Sequence, residues 1–128
     1  MSQLSNYLEN ALVNAVLRNT TYTSPATVYV ALYTTDPTDA DAGSEVSGGS
    51  YARQSVAFDA PSNGATANTA GLTFPVATAN WGTITHVGIR DASAAGNLLW
   101  HGALSASKVI NSGDQFVINA GDLDVSLA

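Results

Sequence analysis

Thr83-Ile84-Thr85-His86-Val87-Gly88-Ile89-Arg90 and Asn97-Leu98-Leu99-Trp100-His101-Gly102-Ala103 flank a turn-rich stretch, Asp91-Ala92-Ser93-Ala94-Ala95-Gly96. Both flanks are rich in β-branched, aromatic and aliphatic residues, and the stretch between them carries the Asp and Gly of a tight connection. This pattern predicts a β-hairpin. With Asp91 to Gly96 as the loop, Arg90 faces Asn97, and the pairs run inward as Ile89/Leu98, Gly88/Leu99, Val87/Trp100 and His86/His101. One face then holds Val87, Ile89, Leu98 and Trp100 and reads as buried. The other holds His86, Gly88, Arg90, Asn97, Leu99 and His101 and is mostly polar.

The same grammar continues outward. Thr27-Val28-Tyr29-Val30-Ala31-Leu32-Tyr33-Thr34 lies between Pro25 and Asp36-Pro37, which makes it a strand bounded by turn signals. Further strands are expected at 51–58, 68–74, 115–120 and 123–127, in addition to the hairpin arms at 83–90 and 97–103. Pro61-Ser62-Asn63-Gly64, Ser112-Gly113-Asp114 and Gly121-Asp122 separate them. About seven short strands at this spacing predict a mainly β fold, an antiparallel β-sandwich or jelly-roll-like arrangement.

One helix is expected, at the N-terminus. Leu4, Leu8, Ala11, Leu12 and Ala15 fall on one face of a 3.6-residue period. Ser5 or Asn6 serves as its cap, Asn6 and Glu9 have the spacing of a capping box, and Asn19-Thr20-Thr21 ends it. An isolated helix of about 14 residues is marginal in water, so it packs on a sheet or on a partner. The expected organisation is a single domain, 1–128, with a helix or arm at 1–20 and a β-sandwich at 25–128. Leu4, Leu8, Leu12 and Tyr7 are the candidate interaction residues.

Composition narrows the chemistry. Of 128 residues, 21 are Ala, Thr and Ser contribute 13 each, and Asn contributes 10. Four cations (Arg18, Arg53, Arg90, Lys108) stand against ten acids, a net charge of -6. Four scattered cations do not make the electropositive footprint of a nucleic-acid binder. With no cysteine, disulfides, thiol catalysis and Cys-based zinc sites are excluded. The start Met1-Ser2-Gln3-Leu4-Ser5-Asn6 lacks the cationic and apolar regions of a signal peptide. The aliphatic runs fall far short of the roughly 20 residues that span a bilayer, so no membrane partner is expected.

The motifs of catalysis are absent. Gly-x-Ser-x-Gly does not occur, Ser47-Gly48-Gly49-Ser50 lacks a strand-turn-helix context, and Lys108 is not beside a glycine-rich run. No enzyme activity and no cofactor are expected. Two cation sites deserve weighing. His86 and His101 on one sheet face could ligate a metal, but a third ligand is not evident at a near spacing. The acidic run 36–45, with Asp36, Asp39, Asp41 and Glu45, offers oxygen ligands for calcium without the spacing of a calcium loop. The expectation is therefore a solvated surface loop. Trp81 and Trp100 are the aromatic candidates for stacking on a sugar. Sheet parity puts Trp100 on the apolar face, and Trp81 beside Gly82 reads as a turn anchor.

Several segments taken together carry a family resemblance: Ser5-Asn6-Tyr7-Leu8-Glu9-Asn10-Ala11-Leu12, Val16-Leu17-Arg18-Asn19-Thr20 and Thr23-Ser24-Pro25-Ala26-Thr27-Val28-Tyr29-Val30-Ala31-Leu32. It continues in Glu45-Val46-Ser47-Gly48-Gly49-Ser50-Tyr51-Ala52-Arg53-Gln54, in Asn80-Trp81-Gly82-Thr83-Ile84-Thr85-His86, in the hairpin, and in Ser112-Gly113-Asp114-Gln115-Phe116 and Ala120-Gly121-Asp122-Leu123. Across most of its length the chain resembles small tailed-bacteriophage virion proteins, often labelled tail fibre proteins. The resemblance implies a non-enzymatic structural protein of the virion, assembled in the host cytoplasm. The expected role is capsid cement or decoration, bound to the major capsid protein lattice. The alternative is a tail-fibre or tail-tip component that binds other virion proteins, with receptor or carbohydrate recognition. A homo-oligomer is expected in either case.

Overall fold

The computed structural model describes residues 2–127. The ends of the expected 1–128 domain, Met1 and Ala128, lie outside the described residues. The fold is mainly β, with a five-stranded antiparallel sheet, two two-stranded sheets and one helix among the described residues. In chain order the elements are β1 (Gln3–Leu4), α1 (Asn6–Leu17), β2 (Val28–Tyr33), β3 (Gln54–Val56) and β4 (Ala65–Ala67). There follow β5 (Leu72–Thr73), β6 (Gly82–Arg90), β7 (Leu98–Ile110), β8 (Val117–Ile118) and β9 (Asp124–Ser126). The large sheet runs β1-β7-β6-β2-β3, while β4 pairs with β9 and β5 with β8. The sequence reading missed β1 and β4, because segments of two and three residues are too short to show a period.

The main core lies between the large sheet and the segments that cross it. Val30, Leu32, Phe74, Ile84, Val87, Phe116 and Ile118 are buried there, with Trp81 at one end. Phe74 meets Phe116 edge to face at 5.7 Å, and Tyr51 stacks on Phe74 at 6.2 Å. A second cluster joins Leu8 of the helix to Ile89, Leu99 and Val125, with Leu4, Leu12 and Trp100 packed against it.

The hairpin forms, but its register differs from the sequence reading. His86 faces Ala103, Val87 faces Gly102, Gly88 faces His101 and Ile89 faces Trp100. Relative to the expected pairs this is a slip of two residues, which preserves which face each side chain takes. An irregularity between Ile89 and Arg90 then sets Arg90 opposite Leu98. This bulge moves Leu98 to the face of Ala31 and Tyr33, while Leu99 joins Ile89. The expected positions of Leu98 and Leu99 are thus exchanged, as an inserted residue exchanges inward and outward directions. A further irregularity between Ile84 and His86 leaves four residues, Leu104 to Ser107, opposite Thr85. Beyond it β7 runs to Ile110, well past the expected end at Ala103.

The N-terminus is part of the body. Ser5 caps α1: its Oγ accepts from the Leu8 amide at 3.2 Å and donates to the Leu98 carbonyl. Ser5 N–H also donates to Leu99 O at 2.9 Å, continuing the β1–β7 ladder into the helix. The Asn6/Glu9 capping box is therefore replaced by a Ser5 cap. Leu8 is 2% exposed, Leu4 and Leu12 pack against the same cluster, and of the four interaction candidates only Tyr7 is exposed. Leu4, Leu8 and Leu12 of the apolar stripe thus meet this cluster within the chain.

Candidate functional site

The polar face of the large sheet is where the chain gathers its titratable side chains. Gly88 makes room for it: a Cβ there would sit 2.7 Å from Leu98 Cδ1 and 2.8 Å from Tyr33 Cε1, so only glycine lets Tyr33 lie across β6. Tyr33 then brings its hydroxyl to Arg90, which donates to it at 2.9 Å. Arg90 is 7% exposed. Its guanidinium also forks onto both carboxylate oxygens of Asp41 (2.8 and 2.9 Å) and donates to Gly96 O at 2.9 Å. Burial opposes the charge, but the bonds to Asp41 and Tyr33 outweigh it and hold Arg90 above its ordinary pKa. Burial pushes the Tyr33 hydroxyl up, with Arg90 opposing.

The acidic run is a strap laid across this face. Pro37 is fully buried beneath it, and Ala42 N–H closes back on Pro37 O at 2.6 Å. Asp39 meets His101 Nε2 at 2.7 Å, and His101 is 5% exposed. Asp36 Oδ1 lies 3.9 Å from both His86 Nε2 and His101 Nδ1. Asn6 N–H donates to Asp39 O at 2.8 Å, which ties the strap to the start of the helix. The expected solvated loop is thus a bonded strap: Asp36 and Asp39 face imidazoles and Asp41 pairs with a guanidinium. Among the described residues no group of three or more His, Cys, Asp or Glu is arranged to hold a metal ion. His86 and His101 do share one face, as diagonal neighbours instead of direct partners, with His86 Nδ1 engaged by Thr85 Oγ1 at 2.8 Å.

A second cluster sits at the hairpin end. Arg53 forks onto Glu45, with Nε at 2.8 Å from Oε2 and Nη2 at 2.7 Å from Oε1. Its Nη1 donates to Ala92 O and Ala95 O, both at 2.8 Å. Tyr51 donates to Glu45 Oε2 at 2.7 Å and accepts from Leu32 N–H at 3.0 Å. Burial alone would raise the Glu45 carboxyl, but hydrogen bonds from Arg53 and Tyr51 prevail and hold it below its ordinary value. Burial and the Glu45 contact push Tyr51 up. Arg53 and Arg90 together clamp the 91–96 turn, whose tight path needs Gly96 at φ +73°.

The remaining candidates take structural places. Trp81 is 5% exposed and donates its indole N–H to Gly49 O at 2.9 Å, which makes it the anchor of the Ser47–Ser50 turn. Trp100 is half-buried, and its N–H goes to Ser126 O at 3.0 Å. On the helix, Val16 and Leu17 stand 77% and 76% exposed. No helix among the described residues is long and apolar enough to cross a membrane.

A mainly β body that spends Arg53, Arg90, His101 and the acids facing them on fastening its own loops has the make-up of a structural protein. A family model described as podophage GP4 fiber I protein gp80 matches residues 3–126, and the chain belongs to that family. It is accordingly a phage virion structural protein of the tail-fibre-labelled type, and its place is the phage particle. No curated protein matches the chain.

Proposed function

We propose that the protein is a non-enzymatic module of a podophage fibre, a compact joint or tip that binds larger virion proteins. The fibre name of the family supports this address. The observation that carries the structural role is the use of the polar groups. The paired side chains at Arg53–Glu45, Arg90–Asp41 and His101–Asp39 are matched to one another and to loop carbonyls. That arrangement stiffens a surface, and stiffness lowers the entropic cost of assembly.

A second reading, capsid cement bound to the major capsid protein, is favoured by the compactness of the body. Neither β1 nor α1 forms a projecting stalk, and both lie against β7. Immunogold labelling of intact particles separates the two readings. Label at the tail supports the fibre module, and label in a regular array over the head supports cement. Protein absent from purified particles overturns both.

A further inference from the structure

We infer that the cleft between β7 and β8–β9 is the docking site for an extended, base-bearing strand of a different virion protein, added to the free edge of β7. The inference rests on the structural role proposed above and goes beyond it by naming the surface and the chemistry of the partner.

The cleft has a volume of about 480 Å³, within the range of a ligand site. Leu104, Phe116, Ile118, Leu123 and Val125 line its apolar floor. One wall is the outer edge of β7. Among the described residues β1 pairs with that edge at Trp100 and His101 only, and no strand pairs with it further along. The other wall includes β8, which among the described residues pairs only with β5. An unpaired strand edge offers a row of backbone donors and acceptors, and another extended chain is the ligand that matches it.

The structure also shows how wide the gap is at its near end. Gln3 faces His101 and Leu4 faces Trp100 on one side. On the other, Ser2 Oγ accepts from Ser126 N–H of β9 at 3.0 Å. One strand therefore fills the space between β7 and β9 there. Farther along β7 than the described part of β1 reaches, Leu104, Ser105 and Lys108 line the cleft.

Charge selects the partner. Asp122 and Asp124 stand exposed along the β9 lip, so the incoming strand carries a Lys or Arg toward them. Within this chain Arg53 and Arg90 are buried in pairs, and the base on an exposed strand is Lys108, which lines this same cleft, so the incoming base is assigned to a different virion protein.

Three measurements on assembled particles and the free full-length protein test this. Amide exchange at 104–107, where the β6 ladder is interrupted, should be fast in the free protein and slowed at least tenfold in particles; equal rates overturn the proposal. A photo-crosslinker replacing Ala106 should yield an adduct with another virion protein, whereas an adduct with a second copy overturns it. Ser105→Pro removes a backbone N–H in the stretch where the β6 ladder is already interrupted, and D122K/D124K reverses the exposed lip. Each should keep the wild-type melting temperature and lower incorporation at least tenfold. If Ser105→Pro unfolds, the charge reversal decides, and wild-type incorporation by the folded variants overturns the proposal. Immunogold position is independent of these outcomes: label away from the tail removes the fibre reading and leaves a protected β7 edge standing.

Discussion

Leu8 stands where the helix, the large sheet and the last strand meet, packed with Ile89, Leu99 and Val125. Truncating it removes a buried aliphatic group from a site walled by three elements. Leu8→Ala should therefore cost about 2–5 kcal/mol in urea unfolding. Tyr7→Ser, one position away and exposed, should change stability by less than about 0.5 kcal/mol. Glu45 gives the acid counterpart. Its carboxyl is held below the ordinary value of 4.5, so the native state binds that proton less readily than the unfolded chain does. The resulting stability is present above about pH 4.5 and is lost as pH falls through the folded value. Wild-type melting temperature should drop across that window. Glu45→Gln should be less stable at pH 7 and show a shallower acid slope in the same thermal scans. Leu8 was legible as one of an apolar stripe. Whether the stripe met a sheet or a partner was not, because helical spacing gives the direction of a face and says nothing of what covers it.

At the scale of elements, the hairpin shows where period-two reasoning holds and where it stops. The arms, the turn and the buried direction of Val87 and Ile89 were readable from alternation. The bulge at Ile89/Arg90 was not, because Leu98 and Leu99 are the same residue and either satisfies a buried position. The end of β7 was obscured for a related reason. Ser105, Ser107 and Lys108 lie on an edge facing water, where apolar alternation has no cause to persist. The turn depends on arginine geometry. Arg53→Lys keeps the charge but gives up the planar fork that reaches Glu45, Ala92 and Ala95 together. It should lose about 2 kcal/mol, the scale of buried charge-assisted hydrogen bonds. Exchange at the Asn97 amide, now held by Asp91 Oδ1 at 2.7 Å, should accelerate by NMR, with little change at Val30 in the central strand β2.

Across the whole molecule, the contacts least visible in the sequence are those that join its ends to its middle. His101 and Asp39 are 62 residues apart and Arg90 and Asp41 are 49 apart. No spacing rule connects such pairs, because the fold that brings them together is itself the missing information. The same limit explains why the sequence leaves open whether the helix or arm at 1–20 packs on the β-sandwich at 25–128 or on a partner. The structure ties that segment down three ways: by β1 on β7, by the Ser5 bonds to Leu98 and Leu99, and by the Asn6 bond to the Asp39 strap. Removing residues 2–20 would uncover Ile89, Leu99 and Val125 and expose the edge of β7 at Trp100 and His101. A β-body cut in this way loses one wall of its second core cluster, and small domains hold too little surplus stability to absorb that. The 21–128 fragment should therefore show no cooperative thermal transition by circular dichroism, while the full chain melts in one step. A fragment that melts cooperatively near the full-length temperature would make the helix an appendage.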